Sequence, residues 1–566
     1  ARAQGQLGDV VKRLVQAGLH VEVRAALVAE RRHGRTALRE EKGHLLVFVT
    51  CPRARLVREW QRSRLQDWLG GMLALRRVEG GGGGEADPLE VDAAALDDPA
   101  RLLSATGATA DSIPVAERQR LVHRLIAGAS GDGGAAVGAG GGGGSGAAVA
   151  VVVLHDGDFN RQWVRVWARK WLVSTRDLQR IREHFGEEVA MYFAFLQSYF
   201  LWLALPAAAG AAWWACGRSF AWPFAVLLVV WAVVFTETWA RRESDIATYW
   251  GVHGVQRAGD ARRAGFRPDG FVLDAATGEP APVSSGARRW ARRGVSAAAV
   301  VALAALLAAL VAAIFAVQTF ASEFYAGPLA SVLALAPVVL LTALLPLYTG
   351  ACTRVAYALT EYENYEFEAE FAAQLTAKLF VFQFLQDQLY LFLTAWVFVP
   401  HRDAFERWLR ATAAPLKQSD TPAAAMVQTL LAGFVVTSQL VNLATETLVP
   451  LALRCPSPSP SPSAAAQRLF IACVAEETRL PVYSTYEDYA EMASQFGRVA
   501  FFSAAWPLAP LAAFVNNWFE LRGDAAKIAG ATQRPIPRRV DTIGPWLGAL
   551  RLMCWLSSIT NALLVY

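Results

Sequence analysis

From position 189 onward the chain is a succession of uncharged apolar stretches, at 189–216, 219–236, 295–322, 324–353 and 421–445, and this pattern restricts the fold more than any other feature. A hydrocarbon core of about 30 Å takes roughly 20 apolar residues in a helix, so each stretch is long enough, or nearly so, to cross a bilayer. Residues 379–399 are a further candidate, interrupted by Asp387, and 543–566 another, interrupted by Arg551. The run 499–519 carries Pro507 and Pro510 in its middle. Proline lacks the backbone donor and clashes with the preceding turn, so this run reads as two helices joined by a hairpin at Trp506-Pro507. About nine spans result. Composition agrees: 54% of the 566 residues are hydrophobic and only 18% charged, against about 25% charged in soluble domains. A soluble enzyme is not expected.

Orientation follows from the arginines. The 240–294 loop holds a dense set of them, among them Arg241, Arg257, Arg262, Arg289 and Arg293, and the 525–542 loop adds Lys527, Arg534, Arg538 and Arg539. Basic residues beside span ends mark the cytosolic side. The loops 240–294, 454–486 and 525–542 are therefore expected on one side, with the amino-terminal domain in the cytosol beside them. The 354–373 connection fits less well, because parity puts it on that side although Glu361, Glu363, Glu366, Glu368 and Glu370 make it acidic.

Residues 1–185 have no run of spanning length and hold most of the glycine tracts. Helical spacing over 9–27 and 56–75 and short β-rich runs at 45–49 and 148–154 predict a small α+β domain. The glycines at 80–84 and 133–146 read as flexible loops without a P-loop pattern. The net charge of +5 is small for this length, and a nucleic-acid binder would carry a concentrated basic face, so nucleic acid is not an expected partner. Six scattered cysteines lack any C-x-x-C spacing, which predicts reduced thiols rather than a zinc site or disulfide scaffold. No secretory signal is visible behind Ala1.

Ionisable groups inside spans cost about 2.5–3.5 kcal/mol each on insertion scales, so their placement is informative. Three pairs stand at helical spacing: Asn442 with Glu446, Asp488 with Glu491, and Glu520 with Asp524. Intervals of three or four put both members on one helical face. About the expected hairpin, Asp488 and Asp524 are each eighteen residues from Trp506, which brings their pairs level. Glu446 falls at a similar depth. Five carboxylates and an amide converging in a low dielectric require compensation. Hard oxygens without His or Cys suit calcium, and bridging carboxylates could hold two ions. The plainer alternative is pairing with Arg498, Arg522 or Lys527. A proton relay is a third, but His253 and His401 lie in loops rather than spans. A polar stripe of Gln383, Asp387, Tyr390 and Thr394 on one helix, with Gln428 and Gln439 on the next, is read either as the lining of a hydrophilic furrow or as helix-to-helix hydrogen bonding.

Several long motifs resemble the anoctamins in family order, its fungal branch in particular: 181–196 (IREHFGEEVAMYFAFL), 239–254 (WARRESDIATYWGVHG), 359–384, 487–497 (EDYAEMASQFG) and 516–527 (NNWFELRGDAAK), within a similarity covering about 150–566. The resemblance implies a homodimer of ten-helix subunits, each a mainly α-helical polytopic membrane domain (186–566) with an amino-terminal ferredoxin-like α+β domain in the cytosol (1–185). It also implies an intramembrane calcium site, with about two ions per subunit, on Glu446 with Asn442, Asp488 and Glu491, and Glu520 and Asp524. The furrow residues would be Gln383, Asp387, Tyr390, Thr394 and Gln439. Two departures stand out: nine spans are visible before Tyr566, without the tenth that the family uses at its dimer interface, and Gly433 falls where fungal relatives carry a gating tyrosine. The expected function is a calcium-activated phospholipid scramblase, with ions as accompanying cargo and no covalent chemistry. A calcium-activated chloride channel is the alternative, and a membrane tether the second. The host is the plasma membrane or the endoplasmic reticulum.

Overall fold

The computed structural model describes residues 2–32, 35–69, 112–127, 135, 150–167, 170–255, 263, 265–273, 280–319, 330–401, 403–404, 407, 428, 432–433 and 464–565. It opens with α1 (Arg2–Gln16), β1 (His20–Arg32), β2 (Arg35–Thr50), α2 (Arg53–Leu69) and α3 (Val115–Ala127), the two strands pairing antiparallel. The helix expected over 9–27 stops at Gln16, because Gly18 turns the chain at φ +74°, a conformation only glycine takes cheaply, and His20 onward pairs with β2 instead. Of the run expected as a strand at 148–154, Val153 makes a single bridge, to Arg534. Leu14, Ala17 and Leu19 pack with Leu125 and Ile126 as one small core.

Among the described residues ten further helices follow: α4 (Gly157–Trp167), α5 (Thr175–Phe185), α6 (Glu187–Ala215), α7 (Trp222–Trp250), α8 (Gly286–Thr319), α9 (Ala330–Glu363), α10 (Glu368–Phe392), α11 (Ala464–Glu477), α12 (Thr485–Phe502) and α13 (Ala509–Gly530). A last one, α14 (Pro545–Val565), closes the described chain, and a short hairpin, β3 (Gly270–Leu273) with β4 (Pro280–Val283), precedes α8. The end of α10 widens into a π-helical stretch at Leu393–Phe398. Among the described residues four helices are long and apolar enough to cross a membrane: Glu187–Ala215, Trp222–Trp250, Gly286–Val317 and Pro545–Val565. The span expected at 421–445 lies almost wholly outside the described residues. The described cysteines Cys51, Cys216, Cys352, Cys473 and Cys554 are free thiols.

Helix α6 is the axis of the assembly. Its first ten residues after Glu188 are apolar around the whole circumference apart from Gln197 and Ser198, and Val189 to Phe200 are buried without interruption. A helix apolar on every face belongs in an interior rather than at an interface with water. Trp163, Leu178 and Phe185 of α4 and α5 join the same core as α6, α12 and α14. Helix α11, far away in sequence, covers the strand pair of the amino-terminal domain: Ile471 and Ala472 pack on Leu27, and Phe470 stacks on Phe48 at 6.2 Å.

The hairpin expected at Trp506-Pro507 is present: α12 ends at Phe502, α13 begins at Ala509, and the Trp506 carbonyl accepts from Ala509 N. The turn presses on α6 at Gly210, where a Cβ would overlap the Pro507 carbonyl oxygen. Gly210→Ala is therefore expected to lower stability by about 1–3 kcal/mol, the usual cost of overpacking, read as a fall in the thermal unfolding midpoint.

The loops expected on one side do meet. Gln533 N donates to the Pro481 carbonyl at 2.8 Å, its side-chain amide reaches Thr478 O and Leu480 O, each at 2.9 Å, and Gly254 N donates to Asp541 Oδ2 at 3.1 Å. The acidic connection after α9 also finds its reason. Arg263 of the basic loop pairs with Glu361 at 2.8 Å and Glu368 at 3.2 Å and lies 3.7 Å from the Phe371 ring centre, so the two loops neutralise one another on the same side. Beneath them Glu363 accepts from Lys378 Nζ at 2.9 Å and from Tyr365 Oη at 2.6 Å, a buried pair with Arg293 completing the chain at Tyr365.

Candidate functional site

The two arms of the hairpin each carry one deeply buried aspartate. Asp488 stands in the first turn of α12, where the helix dipole favours an acid, and is 3% exposed; Asp524 of α13 is 1% exposed. Asp488 accepts from Tyr483 Oη at 2.6 Å on Oδ2 and from Lys527 Nζ at 2.8 Å on Oδ1. Asp524 accepts from Tyr192 Oη at 2.5 Å on Oδ2. The Lys527–Asp488 pair joins the arms at one level, one helical turn beyond Asp524. Glu491 and Glu520 are half-buried, and Asn516 Nδ2 donates to Glu520 at 3.4 Å.

Helix α6 supplies a third wall that sequence reasoning missed. Tyr192 holds Asp524 as described, and Glu188, one turn earlier, accepts from Thr485 Oγ1 at 2.7 Å at the start of α12. The signal was present in the sequence: Glu188 and Tyr192 are spaced i, i+4, so the polar groups at the start of an otherwise apolar span share one face. Arg522, a candidate partner for the acids, instead donates to the carbonyls of Lys170 and Trp518 and lies over the Trp518 ring. Lys527, another of those candidates, does reach Asp488.

Asn442 and Glu446 lie outside the described residues, as does Gln439. Among the described residues no three His, Cys, Asp or Glu side chains group closely enough to hold a metal. The donor chemistry nonetheless fits a hard dication: two buried carboxylates on different helices, each steadied on one oxygen by a neutral hydroxyl, with carboxylates of Glu491 and Glu520 on the same two helices. Hydroxyls and carboxylates suit a hard ion, whereas imidazole and thiolate select a softer metal.

Comparison with known sequences bears on this geometry. A family profile for anoctamins, described as calcium-activated chloride channel, matches residues 181–566. The chain belongs to the anoctamin family. A second profile, described as the alpha-beta plait domain in TMEM16 lipid scramblase, matches residues 1–143. An uncharacterized protein of Schizosaccharomyces pombe is 25% identical over 433 residues, covering 73% of this chain and 64% of that protein. Mouse anoctamin-10 is 26% identical over 432 residues (73% and 61%), and mouse anoctamin-7 is 27% identical over 467 (70% and 54%). This anoctamin chain thus spans between 54% and 64% of the length of these relatives.

The polar stripe on α10 divides in two. Asp387 accepts from Gln383 Nε2 at 3.0 Å and from the hydroxyl of Ser494 on α12, and Gln388 Nε2 donates to Ser494 O at 3.0 Å. This half ties α10 to the helix of Asp488. Further along, Tyr390 is buried edge-on to Phe315 of α8, 5.0 Å between ring centres, and Thr394, 1% exposed, donates to the Tyr390 carbonyl at 2.9 Å. In this arrangement those two face neighbouring helix rather than an open groove. Gln428, on the expected next helix, donates to Ala505 O at 3.0 Å in the hairpin turn.

The loop that leaves α13 is locked to the segment 154–184 by a buried polar clasp. Arg534 donates to Leu154 O at 3.0 Å and His184 O at 2.7 Å. His155 donates from Nε2 to Thr532 O at 2.8 Å and accepts on Nδ1 from Asn160 at 3.0 Å, which calls for a neutral ring. His184 stacks on Phe159 at 3.6 Å; burial first, then the charge of Arg534, push its pKa down to about 3, and burial likewise lowers that of His155. Both rings are neutral when folded and titrate near 6.5 when unfolded, so their contribution is intact above about pH 6.5 and drains away as pH falls toward 3. Glu477, raised by burial, acts in the opposite sense and offsets part of the loss. On these groups the clasp is expected to contribute about 1 kcal/mol less at pH 5.5 than at pH 7.5. Thermal unfolding at the two pH values checks this, and His184→Asn should flatten the difference.

Proposed function

We propose that this anoctamin is a calcium-activated phospholipid scramblase, working as a homodimer with about two calcium ions per subunit, held by Asn442, Glu446, Asp488, Glu491, Glu520 and Asp524. The observation that carries this reading is the pair of buried aspartates on separate helices, Asp488 and Asp524, with the Asp488 helix bonded through Ser494 to Asp387 of the polar stripe. Calcium, when bound, supplies the positive charge that lets these carboxylates approach one another. The remaining work belongs to the protein. Tyr192 and Tyr483 each hold one oxygen of an aspartate and so fix how the carboxylates sit on their helices. Because α12 is hydrogen-bonded to α10 at Ser494, a change in where α12 sits alters the face of α10 that carries Gln383 and Asp387. The path for headgroups is assigned to that face with Tyr390, Thr394 and Gln439, with α8 and α10 parting where Tyr390 meets Phe315. A ligand moves such an equilibrium only by its difference in affinity for the two arrangements.

The loops that meet around Gln533 and Arg263 carry the basic residues, so their side, and the amino-terminal domain with them, is assigned to the cytosol of a plasma membrane or endoplasmic reticulum host. A chloride channel is the second reading, favoured by the description of the matching family profile. Purified protein in liposomes with fluorescent lipids, assayed with and without calcium beside an ion-flux measurement, separates the readings. Calcium-dependent lipid exchange is expected. Ion flux without lipid exchange would replace the scramblase by a channel, and neither activity would leave a tether.

A further inference from the structure

We infer that Lys527 is a built-in counter-ion that occupies a calcium-facing oxygen of Asp488, and so sets how much calcium this site requires. The inference rests on the calcium reading above. Lys527 Nζ lies 2.8 Å from Asp488 Oδ1, and the two side chains are 14% and 2% exposed. The other oxygen of Asp488 receives the Tyr483 hydroxyl at 2.6 Å. These two contacts differ in kind. A neutral hydroxyl can stay on its oxygen beside a metal ion, whereas an ammonium and a dication compete for the same lone pairs and repel one another. A buried carboxylate stripped of positive charge is costly, so the ammonium keeps the metal-free site folded.

Two features make Lys527 suited to give way. Its flexible four-carbon stem carries a point charge rather than a fixed fork. It also sits in the last turn of α13, where its own carbonyl already accepts from Ala531 N and Thr532 N, and where the dipole welcomes a cation. An ammonium displaced from Asp488 therefore has a favourable place within reach of its stem. Arg522, five residues earlier on the same helix, is committed to Lys170 O and the Trp518 ring and offers no substitute.

The test uses the full chain in detergent or nanodiscs, with calcium binding read by titration calorimetry and by thermal unfolding in chelator and in saturating calcium. Lys527→Met is expected to bind calcium about tenfold more tightly or better, because both competition and repulsion are removed. Its unfolding midpoint should fall in chelator, so the gain on adding calcium grows. Lys527→Arg keeps the charge and should show no tightening. If the methionine variant does not fold, Lys527→Gln removes the same charge with a polar side chain and carries the same expectation. Charge-removing variants that bind calcium no more tightly than wild type, or an arginine variant that tightens equally, overturn the inference. Asp524→Asn serves as the control for the site. If it weakens binding while the Lys527 variants leave affinity unchanged, the site stands and the role of Lys527 falls; if wild type binds no calcium, or Asp524→Asn binds as well as wild type, both fall.

Discussion

Asp524→Asn is expected to shift calcium activation of lipid exchange to at least about tenfold higher calcium, since affinity at oxygen sites is tuned by the number of charged ligands. The substitution is isosteric, and the remaining side-chain oxygen can still accept from Tyr192, so the loss is one of charge rather than of packing. Asp488→Asn should shift activation as far and add a cost in stability, because it removes the charge of a buried carboxylate that pairs with the Lys527 ammonium. The double variant should need more calcium than either single one. Dose–response curves for lipid exchange in liposomes, with thermal unfolding in chelator alongside, check all three. Unchanged calcium sensitivity in Asp524→Asn would reject the assignment of this site.

Arg534→Met should be the most damaging single change outside the spans. The guanidinium is 4% exposed, donates to two carbonyls from different segments, and lies 5.6 Å from the Phe185 ring centre. Burial lowers its pKa to about 10, so it remains charged at neutral pH. Methionine fills the volume but leaves the Leu154 and His184 carbonyls without this donor in a dry junction, at about 1–3 kcal/mol each. A loss of about 2–6 kcal/mol follows, read as a lower unfolding midpoint together with faster amide exchange over 150–185. The variant should also depend less on pH, since the Arg534 charge is one reason that His184 resists protonation. Stability equal to wild type would show that the clasp contributes nothing.

Much of this architecture was legible because membrane-spanning sequence is written in long, local signals. Apolar runs of helical length, prolines at a turn and arginines beside span ends each act within about 20 residues, and α6, α7, α8, α14 and the hairpin after Phe502 follow from them. The i, i+3 and i, i+4 spacing likewise put Asp488 with Glu491 and Glu520 with Asp524 on shared faces, and symmetry about the turn brought the arms level. Amphipathic spacing failed at 20–27, where the same alternation of residues serves a strand, and only pairing with β2 decided between the two.

What the sequence by itself determined was the set of local elements: helices that must avoid water, a hairpin where proline forbids continuation, and acids too costly to stand in a span without purpose. Which groups those acids meet was decided by tertiary structure alone. Tyr192 is more than three hundred residues from Asp524, Leu154 nearly four hundred from Arg534, and Arg263 about a hundred from the glutamates that it neutralises. Such contacts carry no periodicity and no spacing rule. Each arises because burying apolar faces fixes how helices pack, and every polar group enclosed by that packing must then find a partner in whatever segment arrives beside it.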